Sequence, residues 1–142
     1  MPPDYTTGTV NGTLLDKVMR VTHVLLRVGT GLLFMQHGAQ KLFGEFGGER
    51  VMDLATKFGL AGVLELVGGA FLVLGFLTRP VALLLAGEMA VAYAMMHAPQ
   101  HPVPIVNKGE LALLYMLVFL FLGAHGAGVW SVDAARRRRP RR

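Results

Sequence analysis

Five side chains able to exchange a proton or hold a carbonyl oxygen lie in or beside apolar stretches of this sequence: His37, Lys41, Glu65, His97 and Glu110. An imidazole titrates near neutrality, an ammonium only donates hydrogen bonds, and a carboxylate takes up and releases protons. Brought to one depth of a membrane, they would line an outward-facing polar pocket able to handle protons, and they are the expected catalytic residues. Glu65 is the hardest to explain otherwise. It stands between Leu64 and Leu66 in an apolar run, where a carboxylate must be neutral, paired or close to water. Arg27 and Glu88 are likewise embedded in apolar sequence, and they are expected to form a structural ion pair beneath the pocket. A charge near the bilayer centre costs about 2.5 to 3.5 kcal/mol on insertion scales, so each of these groups should face a partner or a cavity.

The elements that must carry these residues are apolar and long. Of 142 residues, 53% are hydrophobic and only 16% are charged, a balance outside the range of ordinary water-soluble domains. Four apolar stretches, at 19–43, 59–77, 80–97 and 109–125, have the lengths of bilayer spans. The expected fold is all-α, an integral membrane four-helix bundle. A polar N-terminal segment (1–18) precedes a four-helix domain (19–133), and a basic tail (134–142) follows it. The first stretch does not read as a cleaved signal, because a polar start with Asp4 and Asp16 precedes it and three more spans follow.

Orientation follows from the basic residues. Arg136, Arg137, Arg138, Arg139, Arg141 and Arg142 lie just beyond the last span, while Lys17, Arg20 and Arg79 fall on the same side if all four stretches cross. Both termini are thus expected in the cytoplasm, with the chain multi-pass in the membrane. The arginine tail reads as a topology signal, so the lipid bilayer and not nucleic acid is the expected partner.

Local signals divide the spans. Gly44, Gly47 and Gly48 end the first, and Thr78 or Arg79 is expected to cap the third, with Pro80 in its first turn. Asn107 is expected to cap the Gly109–Glu110 turn. On the first helix, Arg27, Gly31, Phe34, Gly38 and Lys41 share one face, with His37 one turn before Lys41. Gly68, Gly69 and Gly75 in the second stretch and Ala82, Ala86 and Ala90 in the third allow close helix contact. A faint repeat pairs Glu65 with Glu110 and His37-x-x-Gln40 with His97-x-x-Gln100, as in a duplicated hairpin.

The chain contains no cysteine, which removes disulfide and thiolate chemistry. Met95, Met96, His97 and His101 have the ligand types of a cuprous site. Pro99 breaks the helix between the two histidines, however, and neither metal nor haem is expected.

These residues resemble the pattern of the DoxX family of small four-helix bacterial membrane proteins. The matching elements are Arg27 with Gly31-x-x-Phe34-x-x-x-Gly38-x-x-Lys41, and Glu65-x-x-Gly68-Gly69-x-x-Leu72-x-x-Gly75 with Thr78-Arg79. They continue with Asn107-x-Gly109-Glu110 and with Gly126-x-Gly128 before Ser131-Val132-Asp133, so that the likeness spans about residues 20–135. Many relatives have proline where this chain has Ala127. The resemblance implies a membrane component of redox or respiratory systems, and DoxD-like relatives belong to thiosulfate:quinone oxidoreductase. A fold match does not carry a reaction with it.

Three functions fit these observations. The first is a membrane subunit of a quinone-linked oxidoreductase, in which Lys41, His37 or His97 bonds quinone carbonyls and Glu65 or Glu110 passes protons. Quinone is then the expected ligand, with soluble redox enzymes or other respiratory subunits as partners. The second is a non-catalytic scaffold that anchors soluble redox enzymes. The third is a small proton-coupled permease, which with four helices would need to form a homo-oligomer.

Overall fold

Why the first helix is so long is visible at its start. Thr13 and Asp16 form a reciprocal capping box: Asp16 N donates to Thr13 Oγ1 (3.3 Å) and Thr13 N donates to Asp16 Oδ2 (3.0 Å). Such a box satisfies two N-terminal amides that the helix cannot pair itself. Helix α1 therefore runs Leu14–Phe43, beginning five residues before the expected start at 19 and ending where expected. Gly44 closes it with a left-handed φ of 74° and an amide bond to Gln40 O.

The computed structural model describes residues 13–48 and 54–138. The expected polar segment up to residue 12, the loop charges Glu49, Arg50 and Asp53, and the tail residues Arg139, Arg141 and Arg142 lie outside the described residues. Among the described residues the fold is all-helical. After α1 come α2 (Lys57–Leu74), α3 (Thr78–Ala92), a short α4 (Pro104–Asn107), α5 (Glu110–His125) and α6 (Val132–Arg137). Helix α3 continues through a wider π turn at Tyr93–His97, so its apolar run extends over Thr78–His97. Among the described residues, α1, α2 and this extended α3 are long and apolar enough to cross a membrane; α5 is equally apolar but has 16 residues.

The link between α2 and α3 differs from the expected one. Helix α2 stops at Leu74 because Gly75 (φ 65°) and Leu77 (φ 48°) both adopt left-handed backbone. Leu77, and neither Thr78 nor Arg79, occupies the cap position of α3 and has no capping side chain of its own. Asp133 of α6 supplies the cap from 55 residues away: its Oδ1 accepts from Leu77 N and its Oδ2 from Thr78 N, both at 2.9 Å. Asp133 N in turn donates to Gly75 O at 2.9 Å. One residue after α5 thereby pairs with three backbone groups of the hairpin link.

Helix α1 packs chiefly on α2 and α3 chiefly on α5, with α2 joining the two pairs through α3. The first contact is made by glycines. A Cβ on Gly38 would meet Leu66 N at 2.5 Å and Gly62 O at 2.7 Å, and one on Gly31 would meet Gly69 O at 2.8 Å. Backbones this close gain dispersion and weak C–H···O contacts that lipid tails cannot replace. The core between the pairs holds Phe34, Leu72, Leu85, Met89, Tyr115, Phe119 and Leu122. Outside it, Leu25, Leu33, Leu60, Leu74, Leu84, Leu114 and Leu117 are more than half exposed. A helical arrangement that turns leucines outward and draws Arg27, Glu65 and Asn107 inward inverts the pattern of water-soluble proteins.

Two substitutions test these helix contacts. Gly38→Ala should destabilise the folded protein by about 1–3 kcal/mol, because the clash is with backbone that cannot rotate away. Gly29→Ala, where an added Cβ meets nothing within 4 Å, should leave stability unchanged or raised. Thermal unfolding in detergent, followed by loss of the monodisperse elution peak, measures both. Asp133→Ala should cost about 1 kcal/mol in the same assay, the usual contribution of a helix cap.

Candidate functional site

The 4-3-4-3 spacing on α1 sends Arg27 and Lys41 in among the other helices at two different levels. At the α2 side of the first glycine contact, Lys41 Nζ reaches Glu65 Oε1 at 2.5 Å. The lysine side chain is 31% exposed and the glutamate 3%, so the pair has one accessible and one enclosed end. It is the one ion pair among the described residues. Oε2 of Glu65 is buried with no hydrogen-bond partner there.

Glu88 of α3 belongs to this group. Both of its carboxylate oxygens are buried without a partner among the described residues, and it lies within electrostatic reach of Glu65 and Lys41. The expected Arg27–Glu88 pair is not formed. Arg27 is 1% exposed and directs its guanidinium to carbonyls: Nη1 donates to Leu72 O (2.8 Å) and Val73 O (3.0 Å), and Nη2 donates to Trp130 O (3.0 Å). Leu72 O also accepts from Gly75 N at 3.1 Å, and the last carbonyls of α2 together carry the negative end of the helix dipole. A buried cation is the natural partner for that end. With Arg27 so engaged, Glu88 is left to the Lys41–Glu65 level.

Helices α1 and α5 complete the wall. His37, one turn before Lys41, stands edge-on to Tyr115 with ring centroids 5.8 Å apart and planes at 89°. Phe34 and Phe119 hold the Tyr115 ring from below, at 5.0 and 5.7 Å. Tyr115 is 8% exposed and feels the charge of Glu65, while His37 feels that of Lys41. His37, Lys41, Glu65, Glu88 and Tyr115 thus form one polar cluster drawn from four helices.

Two of the five expected residues stand apart. His97 Nδ1 bonds Asn107 O at 2.9 Å, and its ring stacks on Tyr93 with centroids 6.2 Å apart. Asn107, 2% exposed, ties the loop together: its amide donates to His101 O (2.7 Å) and to Tyr93 Oη (3.4 Å), and its Oδ1 accepts from Gly109 N (2.8 Å). Asn107 does serve the Gly109 turn, although Gly109 itself holds the cap position of α5. Glu110 is exposed at the first turn of that helix. No hydrogen bond, ion pair or ring contact among the described residues joins His97 or Glu110 to Lys41 or Glu65. The faint repeat therefore does not extend to chemistry, since Glu65 is enclosed and its counterpart Glu110 is not.

The sequence contained no local sign that Glu88 faces Glu65. The signal available was its spacing from Leu85, Met89 and Ala92, which marks the inward face of α3 without naming the neighbour across it. Asp133 was visible only as part of a motif, with no indication of its partner.

An all-helical chain with apolar outward faces, a glycine-mediated helix contact and a buried ionic cluster is a membrane protein. The DoxX family profile matches residues 22–98, and the chain belongs to the DoxX family. An uncharacterized protein of Haemophilus influenzae is 39% identical over 127 residues, covering 84% of this chain and 93% of the relative. A Bacillus subtilis protein named "Putative oxidoreductase CatD" is 27% identical over 124 residues, covering 84% of this chain and 90% of its own. No solved structure matches.

The Lys41–Glu65 pair is open to a double-mutant test of whether it only holds helices together. Lys41→Met alone should destabilise the protein by about 1–3 kcal/mol, because it strands an enclosed carboxylate; the partial exposure of Lys41 keeps the loss below that of a fully buried pair. Lys41→Met with Glu65→Leu should recover most of that loss, as replacement of both partners by apolar groups usually does. Chemical or thermal unfolding of the three variants in one detergent closes the cycle.

Proposed function

We propose that this protein is the membrane subunit of a quinone-linked oxidoreductase system, with the Lys41–Glu65–Glu88 cluster as its proton-handling site. One observation carries the proposal: of two carboxylates enclosed among apolar helices only one is paired with the ammonium of Lys41, and three of their four oxygens lack a partner among the described residues. One lysine balances one carboxylate. The remaining negative charge calls for a proton, which makes the cluster a place where a proton is held and exchanged.

Reduction of a quinone to a quinol takes two electrons and two protons, and each oxygen needs a hydrogen-bond donor as charge develops on it. Lys41, the exposed end of the pair, would bond one quinone carbonyl. Glu65 and Glu88 would deliver protons, and Tyr115 with His37 would form the ring-facing wall. The electrons must come from a soluble redox partner, because the described side chains include no electron carrier. The relative named an oxidoreductase adds support.

The membrane arrangement belongs to the same reading. Helix α5 serves as the fourth span, its 16 residues and about 24 Å being accommodated by local thinning of the bilayer. Both termini face the cytoplasm of a bacterial plasma membrane. Arg79, Arg136 and Arg137 line one groove, and Lys17, Arg20 and Arg138 line another, at the end of the molecule opposite Lys41. That concentration of cations is what the cytoplasmic side of such a protein carries. The polar cluster then lies in the outer half of the membrane.

Glu65→Gln keeps the size of the side chain and removes its proton. In native membranes that couple a reductant to quinone, it should lower quinol formation at least about tenfold, the usual scale for losing a general acid or base. Abundance of the protein in the membrane, read by immunoblot, should stay unchanged. Quinol formation at the wild-type rate would overturn the assignment.

A further inference from the structure

The end of the molecule opposite the polar cluster carries a groove of about 730 Å³ between the first turns of α1 and the segment Val129–Arg138. Lys17 and Arg20 enter it from α1 and Arg138 from the end of α6, while Val21 and Trp130 supply apolar wall. Among the described residues, no hydrogen bond or ion pair uses the side chains of Lys17, Arg20 or Arg138. Two neighbouring cations, Arg136 and Arg137, are engaged. Arg136 sits over the Phe76 ring at 5.5 Å, and Arg137 Nε donates to Asp133 O at 3.3 Å. Unlike them, the three cations of the groove converge on open space.

Length places this groove at the membrane surface. Helix α1 has 30 residues and is about 45 Å long, against a hydrocarbon core of about 30 Å. Its first turns therefore extend into the headgroup layer, and Lys17 and Arg20 lie on those turns. Trp130 is held at the same level and is 73% exposed. Its backbone is left-handed (φ 52°), a conformation unusual for a bulky residue, and its carbonyl is fastened by Arg27 Nη2. Indole at a membrane–water interface is amphipathic in the way that layer favours.

We propose that this groove is a binding site for an anionic phospholipid. The phosphodiester headgroup lies between Lys17, Arg20 and Arg138, and an acyl chain runs along Val21 and Trp130. Phosphate oxygens suit both the ammonium and the guanidinium groups, and the apolar wall beside them has no use for a free ion. The proposal is independent of the reaction at Lys41 and Glu65.

The test uses the full-length protein purified in a mild detergent, with retained lipid counted by native mass spectrometry. Phosphatidylglycerol should be retained and phosphatidylcholine should not. The triple variant Lys17→Gln, Arg20→Gln and Arg138→Gln should lose about a hundredfold in phosphatidylglycerol affinity, whereas Arg136→Gln with Arg137→Gln should stay within about twofold of wild type. Equal losses in the two variants would show a diffuse charge effect and overturn the site. Inorganic phosphate that displaces the lipid at equal concentration would assign the cations to a free anion and overturn it as well. Elution and helicity of the triple variant should match wild type. If they do not, Lys17→Arg with Arg138→Lys, which keeps every charge, must retain phosphatidylglycerol, and its failure to do so overturns the proposal.

Discussion

The fork of hydrogen bonds from Arg27 is the interaction on which the other arrangements depend. A guanidinium 1% exposed joins α1 to the last carbonyls of α2 and to Trp130, beyond α5. In an apolar surround none of these groups can turn to water for a partner, so the alternative to the fork is several unpaired polar atoms at once. With Trp130 held, Ser131 caps α6 through its bond from Ala134 N, and Asp133 is delivered to the amides of Leu77 and Thr78. The chain end is thus fastened to the hairpin link.

Arg27 also divides the polar residues into two levels with different roles. Its three bonds all go to backbone carbonyls, whose positions are set by the ends of helices, although Nε stays without a partner among the described residues. At the upper level the partners are side chains, and among the described residues they are too few: one ammonium pairs with Glu65 and none with Glu88. Unsatisfied polar atoms are rare in folded proteins and concentrate where a ligand, a proton or a reaction completes the set. The contrast between a cation held by three backbone carbonyls and two carboxylates with one ion-pair bond between them makes the second level a candidate site and the first a structural joint.

Much of the fold was legible in the sequence because lipid allows few solutions. Apolar length marks a helix, glycine after Phe43 marks its end, and the glycines of α1 mark a face that can approach another helix closely, without naming α2 as that helix. The helix ends were less legible where the cap comes from far away. Leu77 carries no capping group, and Asp133 lies 55 residues beyond the amide at 78. The Thr13–Asp16 box was local and could have been read, but the apolar run that begins later obscured it.

For the site, sequence alone determined which residues are too costly to leave unpaired: Arg27, Glu65 and Glu88 are named by the apolar residues around them. It also determined that His37 and Lys41 share a helix face, since that depends only on a period of about 3.6 residues. Pairing is a different matter. Whether Glu88 meets Arg27 or Glu65, and whether His97 and Glu110 join the cluster or close a loop, depends on the rotation and height of helices relative to one another. Those are set by glycine contacts, distant caps and the Arg27 fork acting together. Only the tertiary structure decides them, because charge–charge distances depend on three-dimensional placement and not on separation along the chain.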